Sequence, residues 1–165
     1  LSLIRETDRA FEYLLSYFSQ VEEPTMIVMF GDHLPALPDS FYQDLYGKED
    51  DERSDVEKSL RFITPYVIWT NYDSKFEQVT DTSVNYLGSL VLQYAGAELS
   101  RYNQFILQQR KTIPVIGLLG IYDQNGQYII YEDTQEELLQ DYKVLQYMRV
   151  KDRHSKQYNI FGIAE

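Results

Sequence analysis

TMIVMFGDHLP, residues 25–35, decides how the rest of this 165-residue chain is read. Thr25 to Phe30 form a short, continuous run of apolar and β-favouring side chains, the pattern of a strand covered on both faces. Gly31 ends the run and lets the backbone turn sharply, so Asp32 and His33 emerge at the carboxyl end of the strand. Open α/β sheets place their ligand crevices along that edge. Asp offers a hard oxygen and His a neutral imidazole nitrogen, a pair suited to zinc or manganese. The competing reading is an Asp that caps the next turn beside a His satisfied by the core, and a bare Asp-His pair favours that reading. Two adjacent residues cannot complete a metal site either. At least two further ligands have to come from elsewhere.

Working outward, residues 1–20 read as an amphipathic helix, with Ile4, Phe11, Leu14, Leu15 and Phe18 at three- and four-residue spacing. Asp39 and Ser40 are placed to cap a short helix from Phe41 to Tyr46. The stretch 47–58, GKEDDERSDVEK, holds six acids against three bases and reads as a mobile solvated loop. A calcium loop would need alternating acids, a turn glycine and a final Glu, which are not in place. Ile63 to Thr70, ITPYVIWT, is a second covered strand, with Pro65 at its edge or start. Thr82 to Tyr94 and Leu99 to Gln109 read as two helices joined around Ala95-Gly96. Ile113 to Tyr122 and Tyr128 to Tyr131 flank Asp123-Gln-Asn-Gly126, a hairpin signal because Asn-Gly accepts positive φ. Thr134 caps a helix running to about Arg149, with Glu137 at the capping-box position, and the tail QYNIFGI suggests one more short strand. The expected architecture is an α/β sheet flanked by helices, followed by a small hairpin region, as one unit over residues 1–165.

Bulk properties narrow the function classes. A net charge of −11 and a pI near 4.6 speak against nucleic acid as partner, and against unaided binding to an anionic membrane surface. A phosphate ester would need a cation that reverses the sign locally. Without cysteine there are no disulfides and no thiolate metal sites. The longest mostly apolar run, Ile113 to Tyr122, is too short to span a bilayer. The 15 tyrosines suit half-buried sheet surfaces. The chain starts at Leu1, inside what reads as a helix, so a portion of a longer protein is expected.

The strand ending in GDH followed by Leu-Pro, the helix before it, the later TPYVIW strand and the ending LQYMRVKDRHSKQYNIFG together resemble the lipoteichoic acid synthase family. These are sulfatase-like phosphoglycerol transferases of the alkaline phosphatase superfamily, and the likeness is to the C-terminal part of their catalytic domain. The resemblance implies that Asp32 and His33 are metal ligands. It further implies one divalent metal, usually manganese, with zinc, magnesium or calcium as alternatives. A threonine nucleophile would attack phosphatidylglycerol, release diacylglycerol and pass glycerophosphate to a polymer acceptor. The implied location is the extracellular face of a bacterial cell membrane, anchored by helices upstream of this chain. The family's nucleophile and an acidic ligand precede GDH on earlier strands; Thr7 lies on a helix and Thr25 enters the strand, so neither is assigned, and the chain alone is expected to be inactive. His154 in KDRHSK reads as a solvated residue near a helix end, and Asp39 and Asp44 as capping or solvated acids. A sulfatase, a phosphoethanolamine transferase or a non-catalytic binding domain on the same scaffold are the competing functions.

Overall fold

Helix α1 (Ser2–Phe18) forms where the apolar spacing predicts it, yet none of its residues is fully buried. The computed structural model describes residues 2–74, 81–133, 137–152 and 154–162. Strand β1 (Met26–Phe30) follows and pairs antiparallel with β2 (Tyr66–Thr70), setting Met26 opposite Thr70 and Phe30 opposite Tyr66. The expected cover on both faces does not form among the described residues: no side chain of either strand is buried, and Phe30 is 52% exposed. A two-stranded ribbon is too narrow to be enclosed by two helical layers, and a short apolar run fits a half-covered strand as well as an enclosed one.

Both ends of this ribbon are tied down. At one end Asn71 acts as a clasp. Its Oδ1 accepts from the Thr25 amide at 2.8 Å, and its Nδ2 donates to the carbonyls of Phe18, Val21 and Glu23 at 3.1, 2.9 and 3.0 Å. The connection from α1 to β1 is thereby held by one side chain about fifty residues away. At the other end the Gly31 amide donates to the Pro65 carbonyl at 3.0 Å, and Thr64 Oγ1 donates to the Gly31 carbonyl at 2.8 Å.

Helix α2 (Asp39–Tyr46) starts earlier than expected. Pro38 is its N-cap without a side-chain bond, so Asp39 is a first-turn acid rather than the cap. Gly47, at φ 64°, closes it, donating to the Gln43 carbonyl at 2.7 Å.

The acidic stretch 47–58 is ordered, contrary to the mobile loop expected. It forms a 3-10 turn (Asp50–Glu52) and helix α3 (Asp55–Ser59), each opened by a capping box, Glu49 with Glu52 and Ser54 with Glu57. Glu49, Asp50, Glu52 and Glu57 act as caps or ion partners, Lys48 Nζ sitting 2.7 Å from Glu57 Oε1. The Glu57 carboxyl is lowered to about 2, first by that Lys48 bond and then by the Ser54 amide. Arg53, the hinge between the two turns, is buried. Its guanidinium bonds Asp50 and lies 5.8 Å from the centroids of the Tyr42 and Tyr46 rings.

The second half carries the core. Helices α4 (Val84–Tyr94) and α5 (Arg101–Thr112) pack on each other, and α5 on α6 (Glu137–Val150). Between them lies a three-stranded antiparallel sheet of β3 (Val115–Ile116), β4 (Gly120–Tyr122) and β5 (Tyr128–Ile130). The run Ile113–Tyr122, expected as one strand, folds back on itself, with the Gly117 amide donating to the Gly120 carbonyl at 2.9 Å. The hairpin at 123–126 forms as expected, but the Asp123 carboxylate organises it, accepting from the amides of Asn125 and Gln127, and Gly126 alone of its residues takes positive φ, at 77°. These two amides hold the Asp123 carboxyl below its ordinary value. Tyr86, Ile106, Ile113, Ile121 and Leu139 form the buried centre, and the Tyr86 hydroxyl donates to the Ile113 carbonyl at 2.8 Å.

Among the described residues the tail does not add the expected strand. Residues Ser155–Tyr158 form a 3-10 turn and Asn159 turns left-handed at φ 45°, which breaks extension. The Ile160 carbonyl then accepts from the Tyr102 amide at 2.9 Å, and Ile160 and Phe161 pack on the Tyr86–Tyr102–Ile106 cluster. The cap expected at Thr134 lies outside the described residues. The α/β class stands, built from helices and two small antiparallel sheets.

Candidate metal and anion site

The end of β1 delivers Asp32 and His33 to solvent, with side chains 81% and 78% exposed. Gly31 serves this placement differently from the sharp turn expected. It does not take positive φ; instead a Cβ on it would lie 2.9 Å from Thr64 Cβ. The absent side chain lets Thr64 close over the strand end and bond the Gly31 carbonyl, which fixes where the backbone leaves the ribbon.

The histidine is oriented by its own loop. His33 Nδ1 lies 2.9 Å from the Leu34 carbonyl oxygen, which only accepts, so in the neutral ring the proton sits on Nδ1 and the Nε2 lone pair is open. A backbone carbonyl in this place is the usual partner of a metal-ligating imidazole. Nε2 stands 3.5 Å from Asp32 Oδ2, while Asp32 Oδ1 accepts from the His33 amide at 2.9 Å. A separation of 3.5 Å matches two ligands each roughly 2.0–2.2 Å from one ion at a near-tetrahedral angle. The donor pair therefore fits a divalent ion. Among the described residues no group of three or more His, Asp or Glu assembles, so a complete ligand set would need donors beyond this pair.

Asp32 and His33 open onto a cleft of about 420 Å³. Its floor is apolar (Leu34, Pro35, Ala36, Leu37 and Phe62), and its other polar walls are Tyr42 from α2 and Arg61 from the turn before β2. Arg61 is the cation on this wall: its guanidinium lies 4.0 Å over the Tyr42 ring centroid. Sequence reading missed both, because the pairing joins α2 to the strand-leading turn and leaves no local pattern.

The remaining candidates separate cleanly. Asp39 approaches Arg61 at 3.8 Å without lining the cleft, and Asp44 is an exposed residue of α2. His154 is exposed beside Asp152, away from the cleft, as the solvated reading expects. Thr7 and Thr25 both donate to nearby backbone carbonyls, of Leu3 and Glu23, and neither lines the cleft. No helix among the described residues is long and apolar enough to cross a membrane.

Comparison with known proteins bears on the family and the fold. A curated protein of Rhizobium meliloti (strain 1021), named "Putative cyclic beta-1,2-glucan modification protein", is 26% identical over 150 residues, covering 87% of this chain and 24% of its own length. Among solved structures, the Streptococcus pyogenes phosphoglycerol transferase GacH in complex with sn-glycerol-1-phosphate superposes with a TM-score of 0.65 at 18% identity. That match covers 96% of this chain and 36% of the GacH chain, and it establishes a shared fold. The chain thus spans about a quarter to a third of the proteins it matches. The Sulfatase family profile covers residues 1–97, the whole of α1, the β1–β2 ribbon and the Asp32–His33 cleft, and the chain belongs to the sulfatase family.

Proposed function

We propose that this chain forms part of a metal-dependent phosphoglycerol transferase acting at the extracellular face of a bacterial membrane. The carrying observation is the open Nε2 of His33 facing the Asp32 carboxylate at 3.5 Å, in a cleft that also holds an arginine. GacH, whose fold this chain shares, is a phosphoglycerol transferase bound to sn-glycerol-1-phosphate, which favours a glycerophosphate as the transferred group, with phosphatidylglycerol as its donor in this reading. A divalent ion in this position, manganese in the first instance and zinc, magnesium or calcium as alternatives, would lower a hydroxyl's pKa and neutralise charge developing on phosphate. Asp32 and His33 would hold that ion, and the Leu34 carbonyl keeps the imidazole in the tautomer that could ligate it. A threonine Oγ contributed from outside this chain attacks phosphorus, and the diacylglycerol oxygen leaves with a proton. An acceptor hydroxyl then attacks the same phosphorus, and the P–Oγ bond breaks as the threonine Oγ takes up the proton the acceptor gives up.

The acceptor in this reading is a growing glycerophosphate polymer. The Rhizobium relative's name favours a second acceptor, a glucan hydroxyl, for the same donor chemistry.

The test uses the full-length protein. Manganese calorimetry on wild type, Asp32→Ala and His33→Ala should show at least tenfold weaker binding in both variants. Equal affinity in all three removes the metal site. Release of diacylglycerol from phosphatidylglycerol is the expected activity; turnover of an aryl sulfate in its place would make the enzyme a sulfatase.

A further inference from the structure

Arg61 has features that its ion pairs do not explain. Its nearest carboxylates, Asp39 Oδ1 at 3.8 Å and Asp50 Oδ1 at 4.0 Å, are beyond hydrogen-bond reach, and both acids are largely exposed. Such pairs contribute only about 0–1 kcal/mol. Asp50 is in any case engaged by the buried Arg53. What fixes Arg61 is the stack on Tyr42, a ring that is itself buried and backed by Arg53. The result is a flat guanidinium held on a rigid support, with its donor edge uncommitted and its side chain 31% exposed on the wall of the Asp32–His33 cleft.

We propose that Arg61 is a substrate-recognising residue that binds the anionic oxygens of the donor's phosphate. This rests on the transferase reading of the cleft. A guanidinium presents paired N–H donors that match two oxygens of a tetrahedral oxyanion, and a stacked one loses little entropy when it does so. Leu34, Leu37 and Phe62 line the same cleft and carry no polar side-chain atom to compete for that contact. The chain's charge of −11 repels anions at a distance, so discrimination has to come from fixed cations inside the cleft. Arg61 supplies one from this chain, in addition to the ion held by Asp32 and His33. Division of labour follows: Asp32 and His33 would hold the ion that serves the reacting oxygens, and Arg61 takes the charge that stays on the transferred group.

The experiment uses manganese-loaded full-length protein, with inorganic phosphate and inorganic sulfate as calorimetric probes. Arg61→Ala should weaken phosphate binding about tenfold or more while manganese affinity stays within twofold. Arg61→Lys should recover only part of the loss, because it returns the charge without the planar fork. KM for phosphatidylglycerol should rise in both. If Arg61→Ala lowers the melting temperature, Arg61→Gln gives the same reading with the planar bulk over Tyr42 retained. Phosphate affinity within twofold of wild type in the Gln variant overturns the proposal, and so does tighter binding of sulfate than of phosphate by wild type. The two readings fail separately: unchanged manganese affinity in Asp32→Ala defeats the metal site, whereas its loss there, with phosphate binding intact in Arg61→Gln, defeats Arg61 alone.

Discussion

The β1–β2 ribbon and the α4–α6 region are built on opposite economies. Among the described residues, the buried apolar side chains lie from Tyr86 onward, with Tyr42 the exception, and Tyr42 is the ring beneath Arg61. The half that carries the donor atoms is thin, half-exposed and held by named hydrogen bonds. Among the described residues, the half that carries the core lines no part of the Asp32–His33 cleft. Stability and chemistry are therefore separable here, and perturbing one half should leave the other's readout in place.

The largest expected effect lies in the core. Ile106→Ala removes a fully buried side chain packed between Tyr86 and Tyr102 and should cost about 2–5 kcal/mol in guanidinium chloride unfolding. Manganese affinity of the folded protein should not follow. A parallel loss would break the comparison by showing that the ribbon depends on the core.

Alkali should act on the same half. Burial pushes the Tyr86 hydroxyl well above its ordinary value, and Tyr142 and Tyr131 upward too. A raised folded pKa contributes stability that is present below the unfolded value of roughly 10 and lost as pH rises beyond it. Thermal unfolding between pH 9 and 11, about the range that brackets that value, should show a falling midpoint. Tyr86→Phe should flatten the fall.

Smaller effects belong to the ribbon. Asn71→Ala deletes the clasp and should cost about 1–3 kcal/mol, visible as faster hydrogen exchange at the Thr25 amide while the α5 amides stay protected. Asn71→Asp, which keeps the acceptor and loses the donors to three carbonyls, should be no better. Smallest is acid loosening of α3. With Glu57 lowered to about 2, its contribution is present above the ordinary 4.5 and lost as pH falls through the folded value. Hydrogen exchange at the first turn of α3 should rise across that window, and Glu57→Gln should remove the pH dependence.

Local rules explain what could be read in advance. FGDH announced its strand end and the two side chains at the cleft because strand, glycine, Asp32 and His33 are contiguous. The helices around Ala95-Gly96 and the hairpin at Gly126 followed from spacing and turn chemistry in the same way. The order in 47–58 was also written locally, since Ser54-Asp-Val-Glu57 is a capping box; the density of acids masked it. Contacts between distant residues were not legible. Nothing near Arg61 announces Tyr42, nothing near Asn71 announces Phe18, and half-burial of the strands depends on how many strands lie beside them.

Gly31 and Thr64 share one volume although 33 positions separate them. Substitutions at the two sites should be epistatic: a side chain at 31 meets the Cβ of residue 64 itself, so it becomes tolerable only when position 64 is Gly, and the carbonyl bond is then forfeited. In relatives of this chain the two positions should vary together or not at all. A library that randomises them jointly should recover metal-binding pairs that neither single-site library contains.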